Sequence, residues 1–299
     1  MAYTIAAFYR FTPVADALAL RIDLKQKFAA LDLCGTLLIA PEGINGTLAG
    51  TESAIDAMLD ILHGRFGLPR ADVKFSEAQE KPFNRLKIRL KREIITFNRP
   101  DADPSVAVGQ YVAAQDWNAL IADPDVLLLD TRNRYETRLG SFAEALDPGI
   151  QQFSDFADYV RQNLDPTRHP KIAMFCTGGI RCEKASSFLL KEGFAEVYHL
   201  KGGILKYLEE VPVEISRWQG ECYVFDHRMA VGHGLETGHY AMCFCCGEAV
   251  SDFDRSHAQF EEGVSCSLCH EKTSDSDKAR FRMRHTQLTN AQLTNVCEN

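Results

Sequence analysis

Lys171-Ile-Ala-Met-Phe-Cys-Thr-Gly-Gly-Ile-Arg-Cys182 is the stretch that decides how this chain reads. Its first five residues form a short apolar run, the pattern of a fully buried strand. Cys176 follows at the C-terminal end of that strand, where parallel α/β sheets present their sites. Thr177, Gly178, Gly179 and Ile180 then form a tight loop, and Arg181 and Cys182 lead into a helix. Two glycines let the backbone curl until several N–H groups point inward. The helix N-terminus adds partial positive charge and Arg181 a full one. A thiol in that setting ionises readily, so Cys176 reads as a catalytic nucleophile, able to carry a persulfide. Cys182 reads equally as a partner that resolves an oxidised Cys176 into a disulfide and as a small core residue. Phosphatase chemistry needs an arginine six positions after the cysteine; here Arg181 stands at the fifth and Cys182 at the sixth.

On either side of this loop, residues 111–219 alternate strand and helix. Val126–Asp130, Lys171–Phe175 and Glu196–Leu200 read as strands, with helices over Gln152–Asn163 and Glu183–Glu192. That alternation predicts a parallel sheet covered on both faces. Residues 1–98 read as a smaller α+β domain in the order βαββαβ, the ferredoxin-like arrangement. Its strands are Tyr3–Phe11, Leu33–Ala40, Thr47–Ala49, Val73–Ser76 and Leu86–Phe97, and its helices Val14–Leu31 and Ser53–Phe66. Asn45-Gly46 signals a turn. Residues 99–110, with Pro100 and Pro104, read as a linker, 220–270 as a cysteine-rich module, and 271–299 as a polar tail, a short helix or mobile, with Gln-Leu-Thr-Asn at 287 and again at 292.

The ten cysteines lie in a chain with no leader pattern at its start and no apolar run of bilayer length, so a cytoplasmic protein without membrane contact is expected. There, clustered cysteines point to catalysis or metal. Cys243-x2-Cys246 and Cys266-x2-Cys269 have the spacing of a four-thiolate structural zinc site, with Cys245 and His270 as alternative ligands. Cys222 has no evident partner. No flavin, nicotinamide or iron site is evident.

The formal net charge of −8 hides an asymmetry. Residues 1–100 carry 14 basic and 11 acidic side chains, whereas the rest of the chain is acidic throughout. Arg85, Lys87, Arg89 and Lys91 alternate with Leu86, Ile88 and Leu90. On a strand this gives one charged and one apolar face, and a flat basic face suits a nucleic-acid backbone.

Two further stretches extend the resemblance of the Cys176 loop to the rhodanese superfamily. These are Asp130-Thr-Arg132 with Glu136 and Gly140, and Val197–Ile204 with its Gly202-Gly203 turn. Asp130 and Arg132 read as structural residues that orient the loop through buried ion pairs. With Pro41–Gly50, Pro82–Lys91, Cys176–Ser186 and Gly220–Asp226, the chain resembles the oxygen-dependent tRNA uridine hydroxylases over residues 1 to about 270. That resemblance implies an acylphosphatase-like domain, a rhodanese domain and a cysteine-rich segment. It also implies 5-hydroxyuridine formation at the wobble position of tRNA, contact with the anticodon region, molecular oxygen as cosubstrate and Cys176 as the catalytic cysteine. The competing expectations are a sulfurtransferase carrying a persulfide on Cys176, and a noncatalytic RNA-binding protein.

Overall fold

Alternating apolar residues from Tyr3 to Phe11 form the first strand of a five-stranded sheet, β1. The computed structural model describes the backbone of residues 2–297 and the side chains of residues 2–287. After β1 come α1 (Ala17–Ala29), β2 (Cys34–Ala40), β3 (Gly43–Gly50), α2 (Glu52–Phe66), β4 (Lys74–Ala78) and β5 (Leu86–Leu90). The sheet order is β4-β1-β3-β2-β5. The first four strands are the ferredoxin-like arrangement, and β5 adds a parallel edge strand beside β2. Both helices start at a side-chain cap: Asp16 accepts from the Ala19 N–H, and Thr51 from the Ala54 N–H. Leu20, Leu24 and Phe28 of α1 and Ile55, Met58 and Leu62 of α2 then fill the core over the sheet.

Two details depart from the sequence reading. Asn45 and Gly46 lie within β3, which pairs with β1 and β2 along its length. Gly46 serves packing: a Cβ there would stand 3.0 Å from Leu37 Cδ1 and 3.2 Å from Phe8 Cζ. Strand β5 ends at Leu90, short of Phe97. Past it, the Glu93 carboxylate accepts from the N–H groups of Phe97 and Asn98, and Glu42 accepts from that of Ile94. These bonds turn the backbone away from the ladder.

The second sheet is wholly parallel, in the order β6-β10-β9-β7: β6 (Gln110–Val112), β7 (Val126–Asp130), β9 (Lys171–Phe175) and β10 (Glu196–Leu200). One core unites Phe156 and Val160 of α5 (Phe156–Asn163) with Ala185 and Phe188 of α6 (Ile180–Lys191) against Ile172 and Met174. The opposite core holds Trp117 of α3 (Ala114–Leu120) and Ile204 and Tyr207 of α7 (Gly203–Glu210). Between β7 and α5 lie the short helix α4 (Arg134–Thr137) and β8 (Gly140–Phe142), which pairs with β11 (Trp218–Gly220). Cys222, Val224, Val231 and Leu235 join the core of α3 and α7, so the chain beyond residue 219 still belongs to this body.

Two compact units result. One runs through Asp226 and includes Val231–Thr237; the other holds His227–Ala230 and the chain from Gly238 on. The second unit is built around its cysteines and ends in a helix over Asp275–Cys297, longer than the sequence suggests. The side chains of the second Gln-Leu-Thr-Asn and of Cys297 lie outside the described residues.

Within the first unit the two sheets are joined by a buried cation. Lys184 of α6 places its ammonium 2.8 Å from Glu42 and 3.0 Å from Glu93, and it donates to the Ile95 carbonyl. Its side chain is 2% exposed, so removing it leaves two carboxylates without their counter-charge. Lys184→Met is expected to destabilise the first unit by about 3 kcal/mol, read as a lowered urea midpoint; an unchanged midpoint would show that the clasp contributes nothing.

Candidate active site and metal centre

The loop forms as its residue types dictate. β9 ends at Phe175, Gly179 adopts φ +97° as the N-cap, and α6 begins at Ile180, three residues before the sequence suggests. The curl aims backbone donors at the sulfur. The Gly179 N–H donates to Cys176 Sγ at 3.1 Å, and those of Arg181 and Cys182 also face it. Beneath the loop, the Ile204 and Leu205 N–H groups donate to the carbonyls of Cys176 and Thr177. Gly203 makes this approach feasible: a Cβ there would lie 2.5 Å from the Cys176 oxygen.

Cys176 is fully buried. Burial alone would push its thiol up, but the Cys182 thiol, the Arg181 charge and the loop N–H groups together bring it down to about 5. Cys182, buried and bonded to that thiolate, is pushed the other way. The pair is thus set to share one negative charge, which the loop N–H groups and Arg181 favour on Cys176. Thr131 lies 3.6 Å from the Cys182 sulfur, and no disulfide occurs among the described cysteines.

Arg181 does not reach into open space. It grips Glu136 through two bonds of 2.5 and 2.7 Å, and Glu136 also accepts from the Thr177 hydroxyl at 3.1 Å. Burial raises the Glu136 carboxyl, and Arg181, with Arg132 and the Asn133 N–H, more than reverses this. The short helix α4 thus anchors the loop from below. Asp130 and Arg132 form a second fully buried pair at 2.6 Å, with Arg132 also bonding the Gly140 carbonyl and lying over Trp218. This pair ties β7 to β8, while the loop itself is held by Glu136.

Four polar residues near the sulfur carry no motif and escape a reading of the sequence. Glu183, 6% exposed, accepts from the Tyr9 hydroxyl at 2.8 Å and the Tyr111 hydroxyl at 2.7 Å. Tyr9 comes from β1 and Tyr111 from β6. Tyr9 Oη lies 3.0 Å from where a Cβ on Gly179 would stand. Lys74 of β4 sits with its ammonium 4.8 Å from the Tyr9 ring centroid. The N-terminal sheet therefore roofs the loop. Only the run Arg181-Cys-Glu-Lys184, charged residues on a helix covered on both faces, hints at these partners.

Arg85, Lys87, Arg89 and Lys91 lie on or beside β5, the sheet's edge strand. Arg85, Arg89 and Lys91 are exposed and Lys87 half-buried, while Leu86 and Ile88 pack against the core. None of the four forms an ion pair with a described residue.

In the second unit the Sγ atoms of Cys243, Cys246, Cys266 and Cys269 all lie within 4.8 Å of one another. The Cys243–Cys269, Cys246–Cys266 and Cys266–Cys269 separations are 3.9, 3.8 and 3.8 Å. A tetrahedron of sulfurs about 2.3 Å from a central ion has edges of about 3.8 Å, so the cluster could hold a metal of zinc's size. The Gly247 N–H donates to the Cys243 carbonyl to close the first turn, between paired strands Ala241–Met242 and Ala249–Val250. Cys245 points instead toward Thr273, 3.5 Å away, and neither it nor His270 joins the cluster. Cys222 lies apart in the first unit as a buried thiol pushed up to about 12 by burial.

Residues 3–94 match the family described as the UPF0176 acylphosphatase like domain, and residues 113–210 the rhodanese-like domain. The tRNA uridine(34) hydroxylase of Deinococcus radiodurans is 52% identical over 292 residues, covering 98% of this chain and 97% of that protein. The tRNA uridine(34) hydroxylase of a Picosynechococcus species is 49% identical over 285 residues, covering 95% and 96%. A solution structure of a rhodanese-like domain from Anabaena matches 38% of this chain and 80% of its own, at 21% identity and a TM-score of 0.32.

If Cys182 supplies the proton that holds the thiolate, Cys182→Ala should raise the midpoint for alkylation of Cys176 above its value near 5. Mass spectrometry of the iodoacetamide-labelled peptide across a pH series reads this midpoint; an unmoved value would remove Cys182 from the account.

Proposed function

The chain belongs to the tRNA uridine(34) hydroxylase family, and we propose that it converts the wobble uridine of tRNA to 5-hydroxyuridine, with molecular oxygen as cosubstrate and Cys176 as the reacting group. The observation that carries this reading is the buried Cys176 sulfur, met by the Gly179 N–H at 3.1 Å and favoured as a thiolate by the loop and Arg181, under a roof supplied by a second domain. A thiolate is the form that attacks electrophilic carbon. Gly178, Gly179 and Ile180 shape the loop, Arg181 positions it through Glu136, and Cys182 holds the adjacent proton. Relatives at about half identity, named as hydroxylases over nearly their whole length, favour this activity over sulfur transfer or simple RNA docking.

The basic edge is proposed to meet the tRNA backbone near the anticodon. Its charges face away from the core and have no acidic partner among the described residues, so phosphate could replace solvent around them. The four-cysteine cluster is proposed to hold structural zinc; the ion would cross-link two turns of a unit with little apolar core of its own. No described helix is long and apolar enough to cross a membrane, in keeping with work on tRNA in the cytoplasm.

Nucleoside mass spectrometry on tRNA from a strain lacking this protein and any parallel route to the same base should show loss of wobble 5-hydroxyuridine. Wild-type protein should restore it and Cys176→Ser should not; restoration by Cys176→Ser would overturn the assignment. Arg85→Glu with Lys87→Glu and Arg89→Glu should weaken tRNA binding and flatten its salt dependence, whereas an identical binding isotherm would exclude the edge as the contact. Purified protein should carry one zinc per chain by elemental analysis, and Cys243→Ser should lose it; metal retained in that variant would refute the cluster as its site.

A further inference from the structure

Lys74 is the cation of this site that the loop motif leaves unexplained. It is 8% exposed, and its Cε lies 3.7 Å from where a Cβ on Gly202 would stand, beside the turn that underlies the loop. The neighbouring cations are committed elsewhere: Arg181 to Glu136, Lys184 to Glu42 and Glu93, Lys206 to Glu209 and Glu210. Lys74 meets Asp72, Cys176 and Glu183 only through space, and no described residue accepts a hydrogen bond from its ammonium. That ammonium is not among the fully sealed polar atoms, so it keeps contact with water, which a ligand oxygen can replace.

Uracil supplies one. When a thiolate adds to C6, the S–C6 bond forms and the C5=C6 pair moves into C4–C5, leaving the negative charge on O4. No electron leaves the system and no proton is needed. The charge departs from the sulfur and arrives on an oxygen. An ammonium held beside the loop stabilises that oxygen more than bulk water would. Cys176 has no exposed surface, so a base reaches it only where the covering side chains part, and Lys74 stands beside that covering, next to Tyr9.

We propose that Lys74 is a catalytic residue that binds uracil O4 while the Cys176 thiolate adds to C6, so that the N-terminal domain supplies the charge-stabilising half of the active site. This rests on the hydroxylase reading. The resulting carbanion equivalent at C5 takes up a solvent proton there; loss of the original C5 proton and return of the pair then expel the thiolate. Without oxygen, the enzyme therefore exchanges the C5 hydrogen of uridine 34 with solvent.

Burial lowers Lys74 to about 8, against the opposing pull of Asp72, Cys176 and Glu183 and with that of Lys206, and Tyr9 covers its other side. The ammonium is present below that pH and lost above it, so both exchange and hydroxylation should fall as pH rises through about 8.

The test uses full-length protein and tRNA in deuterated buffer without oxygen, with C5 exchange read by nucleoside mass spectrometry, and parallel aerobic hydroxylation. Lys74→Met should reduce both rates by about 100-fold or more with tRNA affinity unchanged. Lys74→Arg, which keeps its charge, should stay active and lose the fall near pH 8. Urea midpoints identify a variant that has merely unfolded; if Lys74→Met does so, the pH profile of Lys74→Arg decides. Wild-type rates in Lys74→Met, or a fall near pH 8 preserved in Lys74→Arg, would overturn the role of Lys74. Hydroxylation by wild type with no C5 exchange would overturn the adduct and leave the hydroxylase reading standing. No 5-hydroxyuridine from wild type would overturn that reading first.

Discussion

A negative charge on a sulfur sealed from water has to be balanced by the protein itself, and much of the first unit is arranged around that requirement. Burial opposes ionisation of Cys176, and the opposing forces are short-ranged and geometric: three inward N–H groups, a neighbouring thiol and a guanidinium locked in place by Glu136. Each depends on a larger feature. The N–H groups need the glycine curl and the start of α6. Arg181 needs α4, whose only buried side chain is Glu136. The loop floor needs the close turn at Gly203, which begins α7. Loss of any of these would remove part of what offsets the burial of the sulfur.

The N-terminal sheet belongs to the same arrangement. Glu42 and Glu93 hold α6 through Lys184, and Tyr9 reaches Glu183 one residue earlier on that helix. Residues 183 and 184 therefore carry two separate attachments between the sheets, both within a turn of the reactive loop. The segment Pro41–Gly50, notable in the sequence for its glycines, serves this attachment as much as it serves β3, since Asn45 bonds the Ile94 carbonyl and Glu42 the Ile94 N–H.

How much of this was legible depended on whether the information was local. Val126–Asp130, Lys171–Phe175 and Glu196–Leu200 are continuous apolar runs, and the structure places strands over those same residues. The Cys176 loop is contiguous, so its chemistry could be read from one stretch, and the paired cysteines announce their own geometry. Asn45-Gly46 misleads because turn propensity is local whereas the packing of Gly46 under Phe8 and Leu37 is not. The path after Leu90 hinges on a single carboxylate, Glu93. Tyr9, Lys74 and Tyr111 come from strands distant in sequence, and nothing in their neighbourhoods marks them as neighbours of a thiolate.

The roof over Cys176 also bears on how long the sulfur survives. A sulfur whose surroundings favour the thiolate is in the form most open to oxidation by peroxides. It has no exposed surface and a tyrosine stands over its loop, so such reagents have no direct path to it. The covering that restrains a base on its way in therefore also slows the access of small oxidants to the sulfur.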